Sequence, residues 1–468
     1  MKVREASDEL IAKYSLYAKD FIEYPAKEFW TTDVQPRHFG YSAIANLAKS
    51  RAPTVLYLHM PYCPQMCFFC LCHFDITHNY DQVRRAVTYL KREIAHLSEQ
   101  DAPNFKEIHF GGGSPTYIRE QEFEELMFDA RLLANEPDEI SIEIDPRRVG
   151  TDRLHFYADL GVDRLSFGIQ EFNREVQEQI NRVQPPELIE NLLTVRRRFK
   201  SINFDMLIGL PKQTSGSVER TMTRLIELAP DRVALSYMHY NPGVHKHQTA
   251  MTRNDGWLPS FRARKEMHEI AVEMLEHSGY VRTGMEHFAK PTDEVAKAVK
   301  EGKAQYNSLG ATAGRCDWLV GLGESAYSRL GPYHYTQNFY ERDKYEAAVD
   351  DKNIRLPIWR GHWLTGQDLI RRDIIQKIRI DFELDLAPIN EKYHIDAGNM
   401  MMREVAAFDV MEADGLLVQG KDGKGRLSCL HLTDFGKNFA NVVCRVFDRY
   451  VWDGQSVDEF FAGKRVEL

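Results

Sequence analysis

Tyr57-Leu58-His59-Met60-Pro61-Tyr62-Cys63-Pro64-Gln65-Met66-Cys67-Phe68-Phe69-Cys70-Leu71-Cys72 is the stretch that decides how this chain is read. It begins inside a β-like apolar run at 55–59 and runs into four cysteines within ten residues. A helical stretch near 80–97 follows, so the cysteines sit on a strand-to-helix loop. The alternation then repeats. β-like runs at 107–110, 139–144, 164–168, 203–208 and 232–238 are separated by amphipathic stretches near 120–133, 152–160, 174–180, 186–199 and 216–228. Such repetition implies parallel strands covered by helices. Six units predict an α/β protein with a barrel-like, incomplete sheet, whose chemistry sits at the C-terminal ends of its strands.

Around this unit, residues 1–54 read as an N-terminal extension and 55–290 as the barrel. Residues 291–355 read as a connecting, substrate-side segment and 356–468 as a mainly helical C-terminal domain. Helical patterns at 256–279 and 293–303 follow the last barrel strand. Further helices are expected at 369–380 and 400–412, then a β-hairpin from 416–419 and 426–431 about a turn at 420–425. Thr433-Asp434 is expected to cap one last helix over 435–450. Helices followed by a hairpin resemble a winged-helix module, but the acidic surroundings favour a covering or packing role over reading nucleic acid.

Composition narrows the class. The 468 residues are 43% hydrophobic and 28% charged, ordinary globular usage. Net charge is −9 with dispersed basic residues, which argues against a nucleic-acid partner held through phosphates. No long apolar run suggests a membrane span or a signal core, so a cytoplasmic enzyme is expected. A monomer is the default expectation. Seven cysteines, an odd number, argue against a disulfide framework, and Cys316, Cys429 and Cys444 read as small buried hydrophobes.

The clustered cysteines are different. Thiolates suit iron, and iron–sulfur clusters are held by cysteine sulfur. The spacing of Cys63, Cys67 and Cys70 lets one loop place three sulfurs on three irons of a cube and leave the fourth iron open. A structural zinc site usually takes two separated ligand pairs, and this loop has no distal pair. A ferredoxin would need a fourth thiolate; Cys72 lies only two residues past Cys70 and reads as a neighbour of the cluster. Phe68 and Phe69 would keep such a cluster dry.

The Cys-x3-Cys-x2-Cys loop after strand one resembles the radical S-adenosylmethionine (SAM) superfamily. With Cys72 it resembles one branch, the oxygen-independent coproporphyrinogen III oxidases (dehydrogenases), from about residue 10 to 450. Further segments fall in that family's order: Phe110-Gly111-Gly112-Gly113-Ser114-Pro115, Ser141-Ile142-Glu143-Ile144-Asp145-Pro146-Arg147, Phe167-Gly168-Ile169-Gln170, Asn181-Arg182-Val183-Gln184, Phe204-Asp205-Met206, Gly284-Met285-Glu286-His287, Trp359-Arg360-Gly361 and Ile370-Arg371-Arg372-Asp373.

The resemblance implies a partial (β/α)6 TIM-like barrel, a 4Fe–4S cluster on Cys63, Cys67 and Cys70, and one or two SAM molecules. Tyr57, Phe69, Gly112, Gly113, Ser114, Glu143, Gln170, Arg182 and Asp205 match SAM-contacting positions, with Tyr57 and Glu143 near the second SAM. It also implies a porphyrinogen-like substrate and a flavodoxin- or ferredoxin-type electron donor. The implied reaction removes hydrogen from the β-carbon of a propionate; loss of CO2 and one electron then leaves a vinyl group. Arg360, Arg371 and Arg372 are candidates for holding the polyanionic substrate. The sequence assigns no catalytic side chain.

Some positions depart from the pattern. Ser308 and Leu309 replace a Phe-Gln pair, Tyr327 replaces an aliphatic residue near the second SAM, and Met238 replaces an alanine near the SAM site. The N-terminal motif is replaced by residues 17–26. These departures motivate two alternatives: another radical SAM reaction (methyl transfer, cyclopropanation or porphyrin ring opening), or a haem chaperone without turnover.

Overall fold

The strand that feeds the cysteine loop, β1 (Pro53–Met60), lies inside a large sheet in the computed structural model of the chain. The structure describes all residues except 16–22, 34–35, 99–102, 135, 254–255, 355, 453–455 and 464–468. Of the N-terminal departure at 17–26, residues 17–22 therefore lie outside the described residues.

The expected strand–helix units are present. The strands β2 (Asn104–Gly112), β3 (Glu139–Ile144), β4 (Arg164–Gln170), β5 (Ser201–Ile208) and β6 (Arg232–Tyr237) follow β1 side by side and parallel. The helices between them are α1 (Tyr80–Ser98), α2 (Glu120–Leu133), α3 (Thr151–Asp159), α4 (Arg174–Gln179), α5 (Pro186–Leu193) and α6 (Ser215–Leu228), with α7 (Phe261–His277) after β6. Local sequence sets the helix starts. Asn173 accepts from the backbone N–H of Glu175 and Val176, and Thr214 closes a reciprocal box with Ser217. One core joins strands and helices: Leu56, Ile108, Ile142, Leu165, Phe204 and Val233 meet Val83, Leu126, Leu154 and Leu225, all fully buried. The result is a partial (β/α)6 barrel.

The sheet continues past this unit at both edges. Val281–Arg282 (β7) and His287–Ala289 (β8) run antiparallel beyond β6. On the other side Trp318–Leu322 (β9) pairs parallel with β1, Thr54 opposite Trp318. Tyr327–Arg329 (β10), His334–Asn338 (β11) and Ile358–Trp363 (β12) follow antiparallel. The described sheet thus has twelve strands in the order β12-β11-β10-β9-β1-β2-β3-β4-β5-β6-β8-β7. Within 291–355, read from sequence as a connecting segment, three strands belong to this sheet.

A second core holds Ile370, Ile374 and Ile378 of α8 (Gly366–Asp381), Phe408 and Met411 of α9 (Met402–Ala413), and a three-stranded sheet of β13 (Glu383–Asp385), β14 (Leu417–Lys421) and β15 (Leu427–Leu432). Val3 and Tyr14 from the N-terminal region are buried in that core. The single helix expected over 435–450 is instead three short ones, α10 (Asp434–Lys437), α11 (Ala440–Val446) and α12 (Arg449–Trp452). Thr433 does cap the first, accepting from Gly436 N–H. The chain leaves helical geometry at Phe439 (φ −120°), whose ring is fully buried against Tyr14 and Phe435. Burying that ring outweighs helical continuity, which is worth little per residue. No described helix is long and apolar enough to cross a membrane.

Candidate active site at the strand ends

Five strand ends surround one cleft of about 920 Å³, open mouth included. Cys63, Cys67, Cys70 and Cys72 come from the loop after β1, and Gly112, Gly113 and Ser114 from the end of β2. Glu143 and Asp145 come from β3 and just beyond it, Gln170 from β4, Asp205 from β5, and Arg182 from the turn after α4. Phe69 lines the same space. Residues spread over 140 positions in sequence meet here because parallel strands of a curved sheet bring all their C-terminal ends to one rim.

The glycines are required by close approach. Gly112 has φ +109°, and a Cβ there would stand 2.7 Å from Met60 O. A Cβ on Gly113 would stand 3.1 Å from Cys63 Sγ, and its N–H donates to Met60 O at 2.7 Å. The backbone thereby closes on the sulfur and leaves the cleft free of side chains at this point.

Electrostatics divide the cleft. On the thiol side, Arg147 and Arg182 both donate to Cys67 Sγ, at 3.4 and 3.3 Å. Both guanidinium groups also face Asp145: Arg147 at 2.7 Å and Arg182 at 3.6 Å. Burial alone would raise the Asp145 carboxyl, but Arg182 and Arg147 hold it down at about 2. Arg182 is locked further by two N–H bonds to Gly168 O, at 2.6 and 3.1 Å. Burial pushes the Cys63 thiol up to about 12, with the neighbouring Cys67 adding to it.

Deeper in the barrel, among the described residues, Asp205 and Glu143 pair with no lysine or arginine. Asp205 accepts from Asn203 Nδ2 at 2.7 Å and from Ser166 Oγ at 3.0 Å. Burial, then the charge of Glu143, raise its carboxyl to about 6. Glu143 accepts the Gly112 N–H at 3.2 Å and faces His109 Nε2 at 3.5 Å. Tyr57 stacks on His109 (5.8 Å, 21°) and contacts His59 Nδ1 through its hydroxyl at 2.8 Å. Tyr57 therefore forms the floor beneath Glu143 and is not among the residues lining the cleft.

Two other expected site residues stand apart. Met238 is buried with Val176, Ile180, Leu210 and Met251, and packs behind Phe68 and Phe69. Tyr327 lines a separate small pocket with Ser308, Trp30 and Glu23; its ring lies edge-on to Trp30 and carries Lys27 Nζ at 3.5 Å. Leu309 packs with Val55, Leu319 and Tyr57. Of the arginines offered for substrate, Arg371 is buried against Glu404 (2.7 Å). Arg372 is buried beside Asp373, and Arg360 donates to Gln337 at 2.8 Å. None of the three lines the cleft. Conversely, sequence reasoning gave no role to Asp145, Arg147, Ser166 or His109. Asp145-Pro146-Arg147 just past a strand end was the available signal.

The donor set suits a 4Fe–4S cluster and SAM. Four thiols line one cleft, three of them at the spacing of the resembled family's cluster ligands, two largely buried guanidinium groups aim N–H bonds at one sulfur, and side-chain-free backbone lies alongside. Among the described residues no His, Cys, Asp and Glu group is spaced for a single metal ion.

Known proteins resemble the chain along nearly its whole length. The radical SAM superfamily model matches residues 57–225. An oxygen-independent coproporphyrinogen III oxidase of Pseudomonas aeruginosa is 34% identical over 95% of both chains, and one from Escherichia coli is 34% identical over 96% of this chain and 97% of its own. The solved structure of the Escherichia coli coproporphyrinogen III oxidase, described as a radical SAM enzyme, superposes with a TM-score of 0.83 at 32% identity, covering 93% of this chain and 100% of that one. With such identity along nearly its whole length, and with its thiols and glycines gathered at the strand ends, the chain belongs to the oxygen-independent coproporphyrinogen III oxidase family of radical SAM enzymes.

Proposed function

We propose that this chain decarboxylates coproporphyrinogen III oxidatively, converting propionates to vinyl groups, with Cys63, Cys67 and Cys70 holding a 4Fe–4S cluster and SAM seated between it and Asp205. The observation that carries the reading is the gathering of those thiols, the Gly112–Gly113 backbone and the Asp205 and Glu143 carboxylates in one cleft. When bound, cluster and SAM supply the one-electron chemistry that amino-acid side chains lack.

The chain's own groups bind, orient and shield. Arg147 and Arg182 stabilise negative charge on the Cys67 sulfur, which favours a reduced cluster. Gly112 and Gly113 make room for SAM's polar end against the backbone. Asp205, fixed by Asn203 and Ser166, presents a carboxylate to a ribose hydroxyl or an ammonium. Phe69, backed by Met238, forms an apolar wall that limits water. Electrons come from a flavodoxin- or ferredoxin-type protein.

The packing about Tyr327 favours a second reading, another radical SAM reaction (methyl transfer, cyclopropanation or porphyrin ring opening) on a different substrate. Its ring is held by Trp30 and Lys27 at a position where the family resemblance leads one to expect an aliphatic residue. Anaerobic incubation of reconstituted protein with dithionite, SAM and coproporphyrinogen III tests both. Vinyl product supports the first reading. Deoxyadenosine without vinyl product moves the assignment to the second, and absence of deoxyadenosine overturns both.

A further inference from the structure

Exposed basic side chains stand on segments tied to the cysteine loop, on a protein whose net charge is −9. Arg148 is exposed and reaches the loop directly, donating to Gln65 Oε1 at 3.3 Å. The segment 244–253 is tied to the loop directly and also through α4. His247 Nε2 meets Cys70 O at 2.9 Å. Gln179 holds Met251 O and Arg253 O, each at 2.8 Å, while its neighbour Ile180 accepts the Phe68 N–H at 3.0 Å. Lys246 and Arg253 are exposed on that segment. Among the described residues, Arg148, Lys246 and Arg253 take part in no ion pair, whereas two carboxylates of α4 are paired: Glu175 with Lys212 at 3.1 Å and Glu178 with Arg174 at 2.6 Å. Val244 and Trp257 add large apolar groups to the same rim, 70% and 48% exposed. A basic rim around exposed apolar side chains is the complement of an acidic protein surface.

We propose that this rim, with Arg148 at Gln65 and Lys246 and Arg253 on the segment held to Cys70 and α4, docks an acidic one-electron carrier protein that reduces the cluster. The inference rests on the proposed function, since only a cluster that must be reduced needs a donor. In the step itself the carrier loses one electron and the cluster gains it; no bond forms or breaks. The position suits the task because Arg148 meets Gln65 between two of the thiols and His247 meets the carbonyl of a third, Cys70, which keeps the path from carrier to cluster short.

The test compares two reductants on the reconstituted holoenzyme: dithionite, which needs no docking face, and a purified acidic flavodoxin, chemically reduced. With the Arg148→Glu/Lys246→Glu/Arg253→Glu variant, dithionite-driven deoxyadenosine formation is expected to match wild type. The flavodoxin concentration for half-maximal rate is expected to rise about tenfold or more. For wild type that concentration should rise with salt, and for the variant it should not. An unchanged flavodoxin dependence with no salt effect overturns the docking face. Should the triple variant lose dithionite activity, Lys246→Gln/Arg253→Gln is measured in its place, and the same two outcomes decide. If wild type itself makes no deoxyadenosine with dithionite, it is the proposed function that fails.

Discussion

Asp205→Asn separates what the barrel interior costs the fold from what it gives the site. Burial and Glu143 raise the Asp205 carboxyl from 3.8 to about 6. Between these values the folded chain keeps a proton that the unfolded chain has released. Stability contributed by this group is therefore full below about pH 4, falls as pH rises toward 6, and is flat above. A rise of this size corresponds to about 2–3 kcal/mol lost at pH 7.5. Asparagine keeps the shape, can still accept from Asn203, and carries no charge. Urea unfolding of the cofactor-free protein should find the variant more stable by about 2–3 kcal/mol at pH 7.5, with the gain vanishing near pH 4. The same change removes a charged acceptor from the SAM side, so SAM affinity of the reconstituted variant should fall about tenfold or more. A gain that is absent, or equal at pH 4 and pH 7.5, would refute the electrostatic account.

Other outcomes can be measured directly. Cys70→Ser should lose most iron and acid-labile sulfide after anaerobic reconstitution, whereas Cys72→Ser should retain both; equal loss would make Cys72 a ligand. Gly112→Ala sets a Cβ 2.7 Å from Met60 O at φ +109° and should cost about 2 kcal/mol or more in unfolding free energy, together with cluster content. Arg182→Lys forfeits the forked contact to Gly168 O and the bond to Cys67 Sγ. Its cluster should titrate at a more negative potential by redox-monitored spectroscopy, with iron content unchanged.

Much of this was legible in the sequence because the barrel repeats one physical pattern. Each apolar run followed by an amphipathic stretch became a strand and a helix, and the glycines and carboxylates at the run ends became the cleft. What escaped reading lacked that pattern. β10 and β11, Tyr327–Arg329 and His334–Asn338, are short and mix polar with aromatic residues, so pairing with neighbours, rather than periodicity, makes them strands. The last helix was misread because its break at Phe439 answers to a tertiary pocket beside Tyr14, more than four hundred residues earlier. Met238 and Tyr327 show the limit of reading by position: one backs the cleft wall and the other belongs to a different pocket. Arg371 reads equally well as an anion holder or an ion pair until Glu404 is seen beside it.

The neighbour of β1 on its outer side, β9, is made roughly 260 residues later. During synthesis the first strand, and the thiols it carries, must wait roughly 15 to 50 seconds for that partner at ordinary elongation rates. Through that interval the newborn chain offers an unzipped border beside reactive sulfur, a hazard for aggregation and oxidation that a chaperone or early iron loading would relieve.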